Sequence, residues 1–190
     1  MKKVIVIGAS GSLAKSVIEA VKPLESIKLS LFLRNKNRIS KELSKDCEIF
    51  EGDALKFDDI KKAVSGQDIV YVNLEGNLEL MTENIVKAMQ ELGVKRIIAI
   101  SSIGIYETPL KPVLVPYRKL ADIIEKSGLD YTILRPDWFT NIDEVDYTLT
   151  KKDQPETGSA ISRKSIADFV SKLVNYPNLY VNENLGISKP

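Results

Sequence analysis

Two hydrophobic patterns alternate along the chain. Short apolar runs occur at Val4–Ile7, Ile27–Leu33, Cys47–Glu51, Asp68–Leu74, Val94–Ser101 and Asp130–Arg135. Runs of this length, bounded by turn residues, read as strands. The cluster Ile97, Ile98 and Ile100 is apolar without alternation, as expected of a strand buried on both faces of a parallel sheet. Between the runs, apolar residues recur every three or four positions. Leu13, Val17, Ile18 and Val21 form one such face, and Met81, Ile85, Met89 and Leu92 another. Further helices are expected just after Asp58 (Ile60, Ala63, Val64), from about Pro116 to Ile124, and from Lys164 to Val174. Gly93 and the pair Ser127-Gly128 close two of them. Pro136 is expected to stop the sixth strand. From Ile142 to Ala160 the chain turns polar and loses periodicity. A short strand is expected at Val145–Leu149, and a final one at Tyr180–Val181.

Regular alternation of strand and helix predicts an α/β fold, a doubly wound parallel sheet with a small C-terminal extension. The 190 residues fit a single domain spanning 1–190. Its substrate side would draw mainly on residues 102–118 and 137–190.

Composition narrows the chemistry. The formal net charge of +1 offers no global attraction to nucleic acid or to a membrane. No apolar run approaches the roughly 20 residues of a membrane span. The start Met1-Lys2-Lys3 leads into an apolar run too short for a signal peptide, so a cytoplasmic protein is expected. Cys47 is the only cysteine, and a packed thiol is its simplest reading. The chain has no histidine, which removes Ser-His-Asp and Cys-His mechanisms, and no metal site is expected. Acid–base work would fall to Tyr, Lys, Asp or Glu.

The first strand runs into Gly8-Ala9-Ser10-Gly11-Ser12-Leu13-Ala14. Gly8 suits a tight turn, Gly11 lets phosphate oxygens approach the main chain, and Ala14 permits close helix–strand packing. The helix start would then hold a pyrophosphate with Ser10, Gly11, Ser12 and Leu13. An ordinary glycine-rich turn is the alternative. NAD-binding folds commonly place an acidic residue after the second strand. Here that position holds Arg34-Asn35-Lys36-Asn37-Arg38. A guanidinium there suits a 2′-phosphate, so NADP is favoured over NAD, with a solvated basic helix start as the alternative. Asp53 and Ala54 end the third strand, where an adenine would lie. Asp53 could instead cap the next helix.

Several stretches together resemble the atypical short-chain dehydrogenase/reductases, and within them the NmrA-like NAD(P)H-binding proteins. They are Gly8–Ala14, Arg34-Asn35, Gly52-Asp53, Ser101-Ser102, Ser162–Ala167 and, most specifically, Ser127–Pro136. The resemblance covers nearly the whole chain. It implies a Rossmann-type domain with Leu74, Ser101 and Pro136 along the ribose and nicotinamide. The family's members include quinone, flavin and biliverdin reductases, epimerase-like enzymes and nucleotide sensors.

The departure is in the catalytic apparatus. Typical short-chain dehydrogenases carry a Tyr-x-x-x-Lys pair, whose i, i+4 spacing puts both residues on one helix face. Here Tyr117 is followed four residues later by Ala121, and Lys119 lies only two positions on. Ser102, Tyr117 and Lys119 are the candidate catalytic residues. Tyr106, Trp138 and Phe139 are candidates for the substrate side. Hydride transfer to a stacked quinone- or flavin-like acceptor needs no tyrosine base, because solvent can supply the protons. Three functions follow: an NADP(H)-dependent reductase of a small molecule, a non-catalytic NAD(P)-ratio sensor that binds a partner protein, and a sugar-nucleotide epimerase or dehydratase. The last is weakest, because about fifty residues follow Pro136 where such enzymes carry a sizeable substrate domain. A homo-oligomer is compatible with all three.

Overall fold

A computed structural model describes residues 1–190. In chain order the elements are β1 (Lys2–Ile7), α1 (Ser12–Val21), β2 (Ile27–Leu33), α2 (Lys41–Ser44), β3 (Glu48–Glu51), α3 (Phe57–Val64), β4 (Ile69–Val72), α4 (Leu78–Leu92) and β5 (Arg96–Ile100). They continue with α5 (Val115–Glu125), β6 (Asp130–Pro136), β7 (Phe139–Thr140), β8 (Thr148–Lys151), β9 (Ile161–Ser162), α6 (Arg163–Asn175) and β10 (Glu183–Ser188).

Eight strands form one sheet in the order β3-β2-β1-β4-β5-β6-β10-β8. All neighbours are parallel except β10 and β8. The chain winds outward from β1 in one direction, then returns to β4 and winds the other way. The crevice at that reversal, outside the carboxyl ends of the strands, is where such sheets bind ligands. β7 and β9 pair separately beside it.

The unbroken apolar run of β1 follows from burial on both faces. Val4 and Val6 pack in one core with α1 and α6, while Ile5 and Ile7 pack in the other with α3, α4 and α5. A fully buried aliphatic side chain of this kind contributes about 2 kcal/mol. Gly93 closes α4 in the left-handed region at φ 71°, donating to the carbonyls of Met89 and Gln90.

β6 ends at Pro136 as expected, with Pro136 itself as the last residue, paired with Ile187, and its carbonyl accepting from Ile103 N–H. Two expectations at the edges need correction. The final strand lies at Glu183–Ser188 and not at Tyr180–Val181, because Tyr180 and Asn182 take positive φ in a turn. The strand expected at Val145–Leu149 forms three residues later, at Thr148–Lys151. No helix is long and apolar enough to cross a membrane.

Candidate functional site

A cleft of about 940 Å³ opens at the switch point. Its floor is the glycine turn. Gly8 sits at φ +90°, and a Cβ there would lie 2.1 Å from the Asn73 carbonyl oxygen, so only glycine fits. The Gly8 and Ala9 N–H groups both bond to the Phe32 carbonyl, and Gly11 N–H to that of Gly8. These bonds hold the turn rigid without using its outward donors. Gly11 is the N-cap of α1 and offers no side-chain cap. The Ser12, Leu13 and Ala14 N–H groups therefore find no acceptor in the protein. Orphan donors at a helix start, beside a cradle that tolerates no Cβ, fit a pyrophosphate.

At one end of the cleft stand Arg34 and Arg38. Neither forms an ion pair. Asn35 does not join them. Its Oδ1 accepts from Asn37 N–H at 2.9 Å, capping the 3₁₀ turn Lys36–Arg38. That turn carries Arg38 back onto the cleft, a residue that sequence reasoning left inside the basic run. Asp53, Ala54 and Leu55 line the same end. Asp53 Oδ1 accepts from Leu55 N–H at 3.0 Å, and the N-cap of α3 is Lys56, so Asp53 is a turn residue of the cleft and not the helix cap.

The other end is built from the strand ends. Asn73 to Asn77 follow β4, Ser101 to Gly104 follow β5, and Pro136 ends β6 with Asp137 to Phe139 after it. Tyr117 enters from α5. Ser101 Oγ donates to the Tyr117 carbonyl at 3.0 Å, which ties α5 to the end of β5. Ser102 Oγ donates to the Ile103 carbonyl at 3.2 Å. Burial, and secondarily the charge of Glu75, push the Tyr117 phenol above its ordinary range. Both effects disfavour the phenolate, so the phenol keeps its proton at neutral pH.

Two more expected site residues lie elsewhere. Lys119 points off the outer face of α5 and pairs with Glu79 on α4 at 2.6 Å, outside the cleft. A residue two positions from Tyr117 cannot share its helix face. Tyr106 lies behind the loop. Its hydroxyl accepts from Asn184 Nδ2 at 2.7 Å, and its ring stands among Arg118, Arg135 and Lys152. Gly104, at φ +82°, turns the chain so that Tyr106 faces that cation cluster.

One support was not legible in the sequence. Arg135 is fully buried, and its Nε donates to Glu156 Oε1 at 2.7 Å. The other carboxylate oxygen of Glu156 accepts from Gly104 N–H at 2.8 Å. A residue from the aperiodic segment thus fastens the loop that follows β5.

Comparison with known proteins agrees with this geometry. The sequence profile of an NAD(P)H-binding family matches residues 8–177. The chain is similar to a Rossmann-fold NAD(P)-binding family protein from Shigella flexneri, with 41% identity and a TM-score of 0.92, covering 100% of this chain and 94% of that one. Two more distant structures share the fold. A short-chain dehydrogenase/reductase from Veillonella parvula in complex with NADP has 21% identity and a TM-score of 0.90, covering 100% and 95%. An anaerobilin reductase from Escherichia coli O157:H7 has 19% identity and a TM-score of 0.85, covering 100% and 98%.

Proposed function

Since the chain belongs to the NAD(P)H-binding family, we propose that it is an atypical short-chain dehydrogenase/reductase, an NADP(H)-dependent reductase of a small planar or carbonyl acceptor, quinone- or flavin-like. The observation that carries the cofactor choice is the pair Arg34 and Arg38 at the adenosine end of the cleft, neither of which forms an ion pair. Two unpaired guanidinium groups suit a 2′-phosphate.

In this reading the turn from Ser10 to Leu13 holds the pyrophosphate. Asp53 and Ala54 flank the adenine, and Leu74, Ser101 and Pro136 lie along the ribose and nicotinamide. The bound cofactor supplies a hydride. Trp138 and Phe139 wall the mouth of the cleft and give a flat acceptor a surface to lie on. Tyr117 keeps its proton and donates a hydrogen bond to the acceptor oxygen that gains negative charge. Solvent completes the protonation, so the chain contributes binding and orientation.

A second reading is a cofactor-ratio sensor that binds a partner protein. The diversion of Lys119 to Glu79 favours it, because the cleft then lacks the tyrosine–lysine couple of the alcohol dehydrogenases. The test is a titration of the protein with NADPH and with NADH, followed by screening quinones and flavins for NADPH oxidation. NADPH is expected to bind more tightly. Arg34→Ala should weaken it about ten- to a hundredfold, the cost of a lost charge-assisted contact. Equal affinity for both nucleotides would remove the 2′-phosphate role. Tight binding without turnover of any acceptor would favour the sensor.

A further inference from the structure

We propose that Arg163 is a pyrophosphate-binding residue of the cofactor site, reaching it from the substrate side of the fold. The proposal rests on the cofactor reading above. Arg163 opens α6, whose N-cap Ser162 accepts from Ser165 N–H at 2.9 Å. α6 runs parallel to α1 on the same face of the sheet. Arg163 Nε donates to Ser12 Oγ at 3.2 Å where both helices begin, and Ser171 Oγ donates to the Ala20 carbonyl at 3.4 Å further along. The guanidinium is thereby delivered to the residue that starts the glycine-turn helix.

Its partners are all neutral. Besides Ser12 it meets the Thr140 carbonyl at 3.5 Å, Asn141 Oδ1 at 2.8 Å and the face of Phe139, 5.1 Å from the ring centroid. Although the chain has 26 acidic residues, Arg163 pairs with none of them. Its Nη2 donates to no protein atom. A guanidinium held in place on its other sides, with an unused fork edge and no counter-charge, is arranged for an external anion. The helix whose Ser12 Oγ it meets begins with vacant donors of its own, the Ser12, Leu13 and Ala14 N–H groups, which call for the same anion. Arg34 and Arg38 stand at the adenosine end, so Arg163 would supply the formal charge that the glycine turn itself lacks.

Arg163 also grips the segment Phe139–Asn141, which directly follows Trp138. Filling the pyrophosphate site and setting the acceptor wall then depend on one side chain, and the cofactor is expected to bind before the acceptor.

Calorimetric titration with NADPH and with adenosine 2′-monophosphate, which has no pyrophosphate, tests the assignment. Arg163→Gln should weaken NADPH about tenfold or more and leave the monophosphate unchanged, while Arg163→Lys should recover part of the loss. Undiminished NADPH binding in Arg163→Gln would overturn the proposal. So would Arg163→Lys as weak as Arg163→Gln, since the charge would then be irrelevant, or a parallel loss of the monophosphate, since the whole site would then have shifted. Wild-type protein that binds neither nucleotide would overturn the cofactor reading itself.

Discussion

Tyr117 and Lys119 sit two positions apart on α5 and serve different neighbours. The tyrosine lines the cleft beside Glu75, and the lysine makes an exposed ion pair with Glu79. Burial and the nearby carboxylate both disfavour the phenolate, so Tyr117 stays protonated through neutral pH. In a quinone reductase assay, Tyr117→Phe should lower kcat by no more than about tenfold, the worth of one hydrogen bond. Lys119→Ala should leave it unchanged, since an exposed pair of this kind contributes about 0–1 kcal/mol. The kcat/KM profile should stay flat between about pH 6 and pH 9 with no limb from a tyrosine base. A basic limb that disappears in Tyr117→Phe would sink this assignment and restore a proton-transfer role.

At the level of elements, the strands and helices around the switch point were legible because each carries a strong periodic signal. The apolar run of β1, the two-faced burial of β5 and the stripe of α4 admit one reading each. The turn at Gly8 was legible too, because glycine there answers a steric demand. After Pro136 only α6 was legible, from its helical periodicity, and the strands were not. Strand β10, Glu-Asn-Leu-Gly-Ile-Ser, has little strand propensity of its own. Its place between β6 and β8 makes it a strand, with burial overriding local preference. Gly186 within it faces β8, where an added Cβ would lie 3.3 Å from Thr150 Cβ, a tight contact. Asn35 and Tyr106 were misplaced for a related reason, since a cap and a cation cluster claim them. The Glu156 strap was invisible because no local pattern announces a contact with residues this far away in sequence. It carries a prediction. Glu156→Gln leaves the buried Arg135 without a counter-charge and should cost about 3 kcal/mol, lowering Tm by roughly 6–12 °C in a chain of this size. Thermal denaturation would measure it, and a shift under about 2 °C would show that the pair supports neither the fold nor the loop.

Across the whole molecule, the cleft joins both halves of the sheet, with an arginine pair at one end and an aromatic mouth at the other. Trp138, the only tryptophan, stands at that mouth with 82% of its surface exposed. Its fluorescence therefore reports on the proposed acceptor end without any label. Iodide should quench it efficiently in the free protein. Quenching should weaken clearly when NADP⁺ and a quinone are both present, because bound ligands bury most of their contact surface. Unchanged accessibility would place the acceptor elsewhere.

The strand order also has a consequence for biosynthesis. β8 precedes β10 in the chain, yet its place on the sheet is the outer edge of β10. During synthesis the segment around Thr148–Lys151 leaves the ribosome with nothing to pair against. It must wait until Glu183–Ser188 has emerged and docked on β6. Domains form as units once their elements are available, so the strands β1 to β5 of the nucleotide-facing half can assemble early, with α6 still to dock on α1. The acceptor-facing half closes only when the last strand arrives. A nascent chain arrested before that strand would carry the glycine turn and the two arginines without a finished edge to the sheet.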